Sequence, residues 1–233
     1  MGKNIISQAR GRGGPTYRVK KSSFQYKIGY PIKEGQAQIL KIFHSPAHSA
    51  PLMKILIDKE IFFNPAFNGA CQGQNISILN SKKIGTGDIS MLKNLPIGTN
   101  VYNIENNPGD GGKMTRTAGS SSTVFKKYPF NKMSVQMSNK KEVILSGDCR
   151  VTIGVIAGSG RKLKPFVKAG KMHYKKRAIG KPWPRTSAVK MNAVDHPFGS
   201  GRGKRIKSKI AKRNAPRGRR VGHIRPSRTG RRK

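Results

Sequence analysis

Short apolar runs separated by turn-forming residues characterise the middle of the chain. The first set is rich in Ile, Leu and Phe and comprises AQILKIF (37–43), PLMKILI (51–57), EIFFN (60–64) and NISIL (75–79). The segments between them, HSPAHSAP, NPAFNG and NSKKIGTGD, are typical of turns because Gly, Pro, Asn and Asp favour tight bends of the backbone. Short β-like runs at such intervals predict a small barrel or sandwich.

A second set of strand-like runs follows and comprises NVYNIE (100–105), TVFKKY (123–128), KMSVQM (132–137), EVILS (142–146) and CRVTIGVIA (149–157). Apolar and polar residues alternate at 133–137 and again at 151–155. A period of two predicts half-buried strands, because successive side chains of a strand point to opposite faces of the sheet. We therefore expect a second small barrel, and we expect no long helix anywhere in the chain.

Both ends of the chain lack this periodicity. Residues 1–33 contain the flexible stretch GRGG and are predicted to form an extended arm. Its aromatic residues, which alternate with cations, are Tyr17, Phe24, Tyr26 and Tyr30. We expect these rings either to stack on bases while the cations bind phosphates, or to dock the arm onto a barrel. After Gly160 the apolar pattern fades, and we expect 161–199 to form a loop-rich layer on the second barrel. Residues 200–233 carry too little apolar surface to fold in isolation.

The charge of the chain is concentrated at its ends. The formal net charge is +39, of which residues 161–233 supply 26 Lys and Arg with a single acid, Asp195. Like charges at such density repel each other, so the ends need an external polyanion. Binding to a membrane surface favours an amphipathic helix with an apolar stripe, which Gly and Pro interrupt here. Nucleic acid is therefore the predicted partner, and no membrane is expected.

Cysteine content and the N-terminal sequence indicate a cytoplasmic protein. Cys71 and Cys149 are far apart and form neither a zinc-ligand spacing nor a disulfide framework. The apolar runs are too short for a transmembrane helix, and the start of the chain has no secretory core. A transit peptide is disfavoured because the glycines near residue 13 interrupt the amphipathic helix that it needs.

Two motifs resemble sites for small ligands. In NNPGDGGKMTR (106–116) the glycines expose backbone N–H groups to phosphate, but the spacing differs from GxxxxGK[ST], so a loop that grips an RNA backbone is preferred to an ATP or GTP site. His44 and His48 are four residues apart, yet Pro46 between them opposes the helix that would align them on a metal. We predict no metal and no cofactor.

The stretch MNAVDHPFGSG (191–201) pairs Asp195 with His196 inside a basic segment. Neighbouring side chains on an extended chain point in opposite directions, so a general-base dyad is disfavoured. The alternative is an Asp that ties the turn while His196 hydrogen-bonds RNA. Trp183, in GKPWPR, either packs in a core or stacks on a base beside its flanking cations.

Several longer stretches resemble one family. They are PGDGGKMTRTAG (108–119), DCRVTIGVIAGSGR (148–161), KPFVKAGKMHYKKRA (164–178), KPWPRTSAVKMNAVDHPFG (181–199) and RNAPRGRRVGHIRPSRTGR (213–231), and they resemble the universal large-subunit ribosomal protein number two. The start GKNIISQARGRGG and the form DHPFG, with Phe198, are similar to its archaeal and eukaryotic branch. The similarity is weakest in 35–95. After HPFG the family often has more glycine than this chain, where Ser200, Arg202, Lys204 and Arg205 stand, so we expect a less compact loop.

This resemblance implies an all-β fold in which an N-terminal OB-fold-like barrel is followed by an SH3-like barrel, with extended basic N- and C-terminal tails. The expected domains are a basic extended arm (1–33), the OB-fold-like barrel (34–97), the SH3-like barrel with a loop-rich end (98–180) and a basic RNA-penetrating C-terminal extension (181–233).

The resemblance also implies a structural, non-enzymatic constituent of the large ribosomal subunit in the cytoplasm. Its expected partners are large-subunit ribosomal RNA, neighbouring ribosomal proteins and the small subunit at an intersubunit bridge. It is expected to support subunit association and to organise the peptidyl transferase region, which the loop of Asp195 and His196 approaches most closely. Two other classes, a nucleoid protein and an RNA-modifying enzyme, fit less well, because the chain has specific loops and lacks an evident cofactor pocket or carboxylate cluster.

The predicted RNA-binding residues fall in three parts of the chain. The arm and the glycine-rich loop contribute Arg10, Arg12, Arg18, Gly109, Asp110, Gly111, Gly112, Lys113 and Arg116. The segment after the second barrel contributes Arg161, Lys164, Lys168, Lys171, His173, Lys175, Lys176, Trp183, Arg185, Asn192, His196 and Arg202. The tail contributes Arg213, Arg217, Arg219, Arg220 and Arg228.

Overall fold

The computed structural model describes residues 2–79, 84–206 and 210–226, and within them the chain is dominated by β-strands. The strands are β1 (Gly35–Phe43), β2 (Leu52–Ile57), β3 (Glu60–Pro65), β4 (Asn75–Ile78), β5 (Ile89–Met91), β6 (Asn100–Tyr102), β7 (Ser122–Tyr128), β8 (Lys132–Gln136), β9 (Glu142–Ser146), β10 (Arg150–Ile153), β11 (Ile210–Ala211) and β12 (His223–Ile224). The α-helices are α1 (Ile6–Arg12) and α2 (Ala169–Ala178). Single 3-10 turns occur at Lys21–Ser23, Leu92–Asn94, Ser159–Lys162 and Ala188–Lys190.

The chain divides into two compact units. The first, which we call the barrel unit, is Lys21–Val167, and the second, the terminal unit, combines Met1–Lys20 with Lys168–Lys233. Residues 168–199 thus belong to the terminal unit, although the sequence predicts 161–199 as a loop-rich layer on the second barrel. The four domains expected from the sequence remain a prediction.

The barrel unit is built on one ten-stranded sheet with the order β3-β2-β1-β4-β5-β10-β6-β7-β8-β9. Neighbouring strands are antiparallel except β4 and β5, which are parallel. Nine of these strands overlap the nine predicted runs, although β6 ends at Tyr102 where the sequence predicts a strand to residue 105. The three-residue β5 was missed because it is too short to show a period. The predicted turn at 80–88 lies partly outside the described residues.

Two hydrophobic cores lie along this sheet. The first is formed mainly by Ile and Phe side chains of β1 to β5 and neighbouring segments, and includes Ile39, Ile55, Phe67, Ile76 and Ile89. The second includes Val101, Val124, Met133, Val135 and Val151. The all-β fold class is confirmed. The two cores do not follow the predicted domain boundary, because Tyr102 and Ile156 belong to the first core and Leu92 and Leu95 to the second. The predicted strand at 149–157 ends at Ile153, because Gly154 turns the backbone at φ +119.

A chain of buried polar groups connects the arm to the sheet. The Tyr30 hydroxyl donates to the Asn103 carbonyl at 2.6 Å and lies 2.9 Å from Thr152 Oγ1. Asn64 Nδ2 donates to the same Thr152 oxygen at 2.8 Å. The Thr152 hydroxyl therefore donates to the Tyr30 oxygen, and burial raises the pKa of Tyr30, which keeps it a donor.

The aromatic residues of the arm that belong to the barrel unit dock onto the sheet. Tyr26 packs against Phe43 and Phe63 at ring distances of 4.6 and 4.9 Å, and Phe24 contacts His48 at 5.2 Å. Together with Tyr30 they favour the docking alternative for this part of the arm. Tyr17 belongs to the terminal unit, where its ring is half-buried.

Thr152→Val should destabilise the barrel unit by about 1–3 kcal/mol, because it leaves a buried donor of Asn64 and a lone pair of Tyr30 without partners. Urea unfolding followed by circular dichroism measures this loss. Thr123→Val, which removes an exposed hydroxyl from β7, is the control and should change stability by less than about 0.5 kcal/mol. Equal midpoints for the two variants would contradict the role given to the buried network.

Candidate nucleic-acid interface

The predicted RNA-binding residues lie in both units. The barrel unit carries Gly109, Asp110, Gly111, Gly112, Lys113, Arg116, Arg161 and Lys164. The terminal unit carries Arg10, Arg12, Arg18, Lys168, Lys171, His173, Lys175, Lys176, Trp183, Arg185, Asn192, His196, Arg202, Arg213, Arg217, Arg219 and Arg220. Arg228 lies outside the described residues. Contact of each of these residues with RNA remains a prediction.

The glycine-rich loop at 106–116 is organised by Glu105, whose side chain is fully buried. Its carboxylate accepts from the backbone N–H groups of Gly109 and Gly111 at 3.2 and 3.0 Å. It also accepts from the Arg150 backbone at 2.8 Å and from the Arg150 guanidinium at 2.9 and 3.1 Å. The same guanidinium donates to the Pro31 carbonyl at 2.6 Å, so one ion pair connects the loop, β10 and the arm.

Asp110 stabilises the glycine-rich loop by accepting hydrogen bonds from backbone N–H groups of the same loop. Its carboxylate accepts from the N–H groups of Asn106, Asn107 and Gly112 at 3.1, 3.2 and 3.0 Å. Burial raises the pKa of Asp110, but these backbone hydrogen bonds and the Lys113 cation at 3.5 Å outweigh it, so the pKa is lowered and the group stays ionised.

The amides of Gly109, Gly111 and Gly112 therefore donate to carboxylates of the chain itself. The sequence predicts that these N–H groups bind phosphate, but in this structure they hold the shape of the loop. At Gly112 the backbone has φ +85, and a Cβ atom would lie 2.5 Å from Asn103 Oδ1, so only glycine fits.

The cations of the loop remain available to a partner. Lys113 keeps 63% of its side chain exposed. Arg116 is half-buried and donates to the Gly112 carbonyl at 3.2 Å; burial lowers its pKa, but a guanidinium remains charged at neutral pH. The loop thus presents cations from a backbone that is fixed by its own carboxylates.

The 191–200 loop is closed by short-range hydrogen bonds. The N–H groups of Asp195 and His196 both donate to the Asn192 carbonyl at 3.1 Å, and Ser200 N–H donates to the Met191 carbonyl at 3.0 Å. The Ser200 hydroxyl oxygen accepts from Ala193 N–H at 2.8 Å. Ser200 therefore links the two ends of the loop, and the expectation that the loop is less compact than in the family remains a prediction.

His196 is held by the backbone rather than by Asp195. Its Nδ1 accepts from Phe198 N–H at 3.1 Å, and its ring lies 5.0 Å from that of Phe198. A neutral ring that accepts at Nδ1 carries its proton at Nε2, so Nε2 is a hydrogen-bond donor. Within the described part of the chain the Asp195 carboxylate makes no hydrogen bond, so neither a dyad nor the expected capping role of Asp195 is seen.

The terminal unit is strongly cationic and has almost no acidic groups. Residues 1–20 and 168–233 contain one acid, Asp195, among all their Lys and Arg. The arginines of the tail at positions 213, 217, 219 and 220 are exposed, and so are Arg10, Arg12 and Arg18 of the arm. The five ion pairs found among the described residues all lie in the barrel unit. Charges of this density, accompanied by a single carboxylate side chain, are complementary to a polyanion.

Comparison with known proteins identifies the family. Residues 85–218, more than half of the chain, match the family model described as Ribosomal Proteins L2, C-terminal domain. The chain is 42% identical to the large ribosomal subunit protein uL2 of Archaeoglobus fulgidus over 237 residues, covering 99% of both chains. It is 40% identical to uL2 of Sulfolobus acidocaldarius, covering 100% of this chain and 99% of that protein, and 41% identical to uL2 of Natronomonas pharaonis, covering 99% and 97%. The chain belongs to the ribosomal protein L2 family.

Helix α2 of this L2 chain was missed by the sequence analysis. It carries Lys171, Lys175 and Lys176 and buries none of its residues, so it has no apolar stripe to produce a periodic signal. The signal that was present is propensity, because AGKMHYKKRA is rich in Ala, Met, Lys and Arg and ends in three cations that favour the negative end of the helix dipole. Helix α1 was missed in the same way, since the sequence GRGG was interpreted as an extended arm; Gly13 instead ends the helix at φ +68.

Trp183 of this L2 chain belongs to neither hydrophobic core. It is half-buried, and it lines a cavity of the terminal unit. The core alternative for Trp183 is therefore wrong.

The described residues of the L2 chain include no helix of the length and apolarity that crossing a membrane requires. They also include no cluster of three or more His, Cys, Asp or Glu side chains placed to hold a metal ion.

Proposed function

We propose that this chain is a structural component of the large ribosomal subunit that binds large-subunit ribosomal RNA. The observation that carries the proposal is the charge of the terminal unit, whose many lysines and arginines are accompanied by one acid only, Asp195. Membership of the L2 family, with relatives named large ribosomal subunit protein uL2, supports ribosomal RNA as the polyanion. The setting is the cytoplasmic ribosome, beside neighbouring ribosomal proteins.

Binding in this proposal uses three kinds of group. Lysine and arginine neutralise phosphates and release counterions, which gives most of the affinity. The preformed loops at 106–116 and 191–200 place donors such as His196 Nε2 at fixed positions. The proposal extends to support of subunit association, with a small-subunit contact at an intersubunit bridge, and to organisation of the peptidyl transferase region by the 191–200 loop. The role of His196 there is positioning, without a chemical step.

The test is sedimentation of native extract on a sucrose gradient after washing the subunits in high salt. A component that is threaded into the RNA fold should stay with the large subunit, whereas a loosely bound polycation is removed as counterions compete. Recovery in the wash or with DNA would overturn the proposal. Competition by duplex DNA against a large-subunit RNA fragment separates ribosomal specificity from general binding of polyanions.

Lys113→Gln should weaken binding to a large-subunit RNA fragment about threefold, because it removes one phosphate contact. The plot of log affinity against log salt concentration should become shallower by about one charge. Fluorescence anisotropy over a series of salt concentrations measures both. Lys59→Gln, in the turn between β2 and β3, is the matched control and should leave the slope unchanged. The same slope for both variants would remove Lys113 from the interface.

A further inference from the structure

The terminal unit contains a cavity of about 850 Å³, to which the comparison with the L2 family assigns no role. Its walls come from α1, from Tyr17, from the end of α2 and from the stretch that holds Trp183. A second cavity of about 480 Å³ shares Gly180, Trp183 and the prolines on both sides of it. Trp183 thus lines both cavities, and each lies in the size range of roughly 300–1,000 Å³ that is usual for ligand pockets.

The walls are positioned by backbone contacts. Gly180 follows α2 with φ +62, and a Cβ atom on it would lie 3.0 Å from the Arg18 carbonyl, so the two segments approach as closely as glycine permits. Lys181 N–H donates to the Lys176 carbonyl at 2.9 Å, and Tyr17 N–H donates to the Gly14 carbonyl at 2.9 Å. Each aromatic residue therefore follows a turn that is closed by its own hydrogen bond.

The groups that line the larger cavity are complementary to a nucleotide. Trp183 and Tyr17 are half-buried, and within the described residues neither ring stacks on another ring and neither polar group has a hydrogen-bond partner. The cations Arg10, Lys176, Lys181 and Arg185 line the same space, and no carboxylate does. An aromatic ring can stack on the plane of a base, and the free donors can donate hydrogen bonds to acceptors on the edge of that base. The cations can neutralise the phosphates of the nucleotide.

Other ligand classes fit these groups less well. An apolar ligand would have to displace water from four cations, which is unfavourable. Inorganic phosphate would use the cations but would leave both aromatic faces unused. A base inside a duplex is stacked on its neighbours and exposes no face to Trp183.

We propose that this cavity binds one unstacked nucleotide of a bulged or single-stranded RNA segment, with its base against Trp183 and Tyr17 and its phosphates on the surrounding cations. The inference rests on the proposed RNA-binding function and adds to it a specific site and a ligand class. Such a site would let the terminal unit distinguish bulged RNA from a regular duplex, because a bulge presents an unstacked base and a regular helix does not.

Trp183 is the only tryptophan of the chain, so its emission reports on this cavity alone. The probes are three RNA hairpins: one with a single bulged adenosine, one with an abasic site at the bulge, and one fully paired. The first two carry the same phosphates and differ only in the base. Moderately high salt suppresses binding that depends on phosphates alone. The bulged hairpin should quench Trp183 and bind about tenfold more tightly than the abasic hairpin, as expected for one stacked base.

Trp183→Leu should abolish the difference between the bulged and abasic hairpins, and Trp183→Phe should retain most of it. Tyr174→Leu is the matched control, because Tyr174 lies on α2 with 70% of its surface exposed and does not line the cavity. Equal affinity of the full chain for bulged and abasic hairpins, with unchanged emission, would overturn the nucleotide site while leaving RNA binding intact. Absence of binding to all three hairpins at low salt would instead overturn the proposed function, and the nucleotide site with it.

Discussion

Glu105→Gln should lower the free energy of unfolding of the barrel unit by about 3 kcal/mol, because breaking a buried ion pair leaves an uncompensated charge. Glu105 is fully buried, and its partner Arg150 keeps only 14% of its side chain exposed. Glutamine keeps the volume of the side chain but removes the charge. It also replaces one acceptor oxygen by a donor, which then faces the N–H groups of Gly109, Gly111 or Arg150.

Urea unfolding followed by circular dichroism measures this loss, with the m-value checked for constancy. Tryptophan fluorescence is unsuitable here, since Trp183 lies in the terminal unit. Glu60→Gln is the matched control: its carboxylate is 53% exposed and lies 4.0 Å from Lys33, so the cost should be below about 1 kcal/mol. The double variant Glu105→Gln with Arg150→Met should lose less than the sum of its two single variants. A loss for Glu105→Gln no larger than that of the control would contradict the central position of this ion pair.

The sequence predicts the strands well because their signal is local. Met133 and Val135 are two residues apart and both lie in the second core, as the pleat of a strand requires. The prediction that this strand is half-buried is wrong, because Ser134 between them is buried as well. The role of Glu105 has no such signal. In the sequence it is one of several acids in a mildly basic segment, and only the fold brings it to Arg150, which lies 45 residues away. The pairing depends on β10 lying beside β6, and that neighbourhood is a property of the sheet.

The candidate site shows the same limit. The cations and the glycines of 106–116 were identified correctly as a distinctive loop, but the partners of the amides were not, because Glu105 and Asp110 were not recognised as internal acceptors. The helix α2 was missed because a helix without a buried face leaves no apolar period. The cavity beside Trp183 could not be foreseen at all, since its walls come from residues 6–17 and 176–191, which are remote in sequence.

Gly199→Ala should weaken binding to large-subunit RNA by about tenfold or more, through a local cost of about 2 kcal/mol in the 191–200 loop. Gly199 is buried, and a Cβ atom there would overlap the Asn192 carbonyl and lie 2.5 Å from the Met191 carbonyl oxygen. These neighbours are backbone atoms of the same loop, so no side chain can move aside to make room. The loop must open, and the hydrogen bond from Ser200 N–H to the Met191 carbonyl is lost.

The loss should appear in RNA binding and not in the stability of the barrel unit, because the 191–200 loop belongs to the terminal unit. Anisotropy titration of a labelled large-subunit RNA fragment measures the affinity, and the urea midpoint by circular dichroism should stay at the wild-type value. Gly170→Ala is the matched control: it lies in α2 of the same unit, a Cβ atom there meets nothing within 4 Å, and alanine favours a helix. If Gly199→Ala bound RNA as tightly as Gly170→Ala, the closed loop would not be the form that binds. His196 Nε2 would then reach its partner from an open chain, and the backbone hydrogen bond that fixes its tautomer would have no part in recognition.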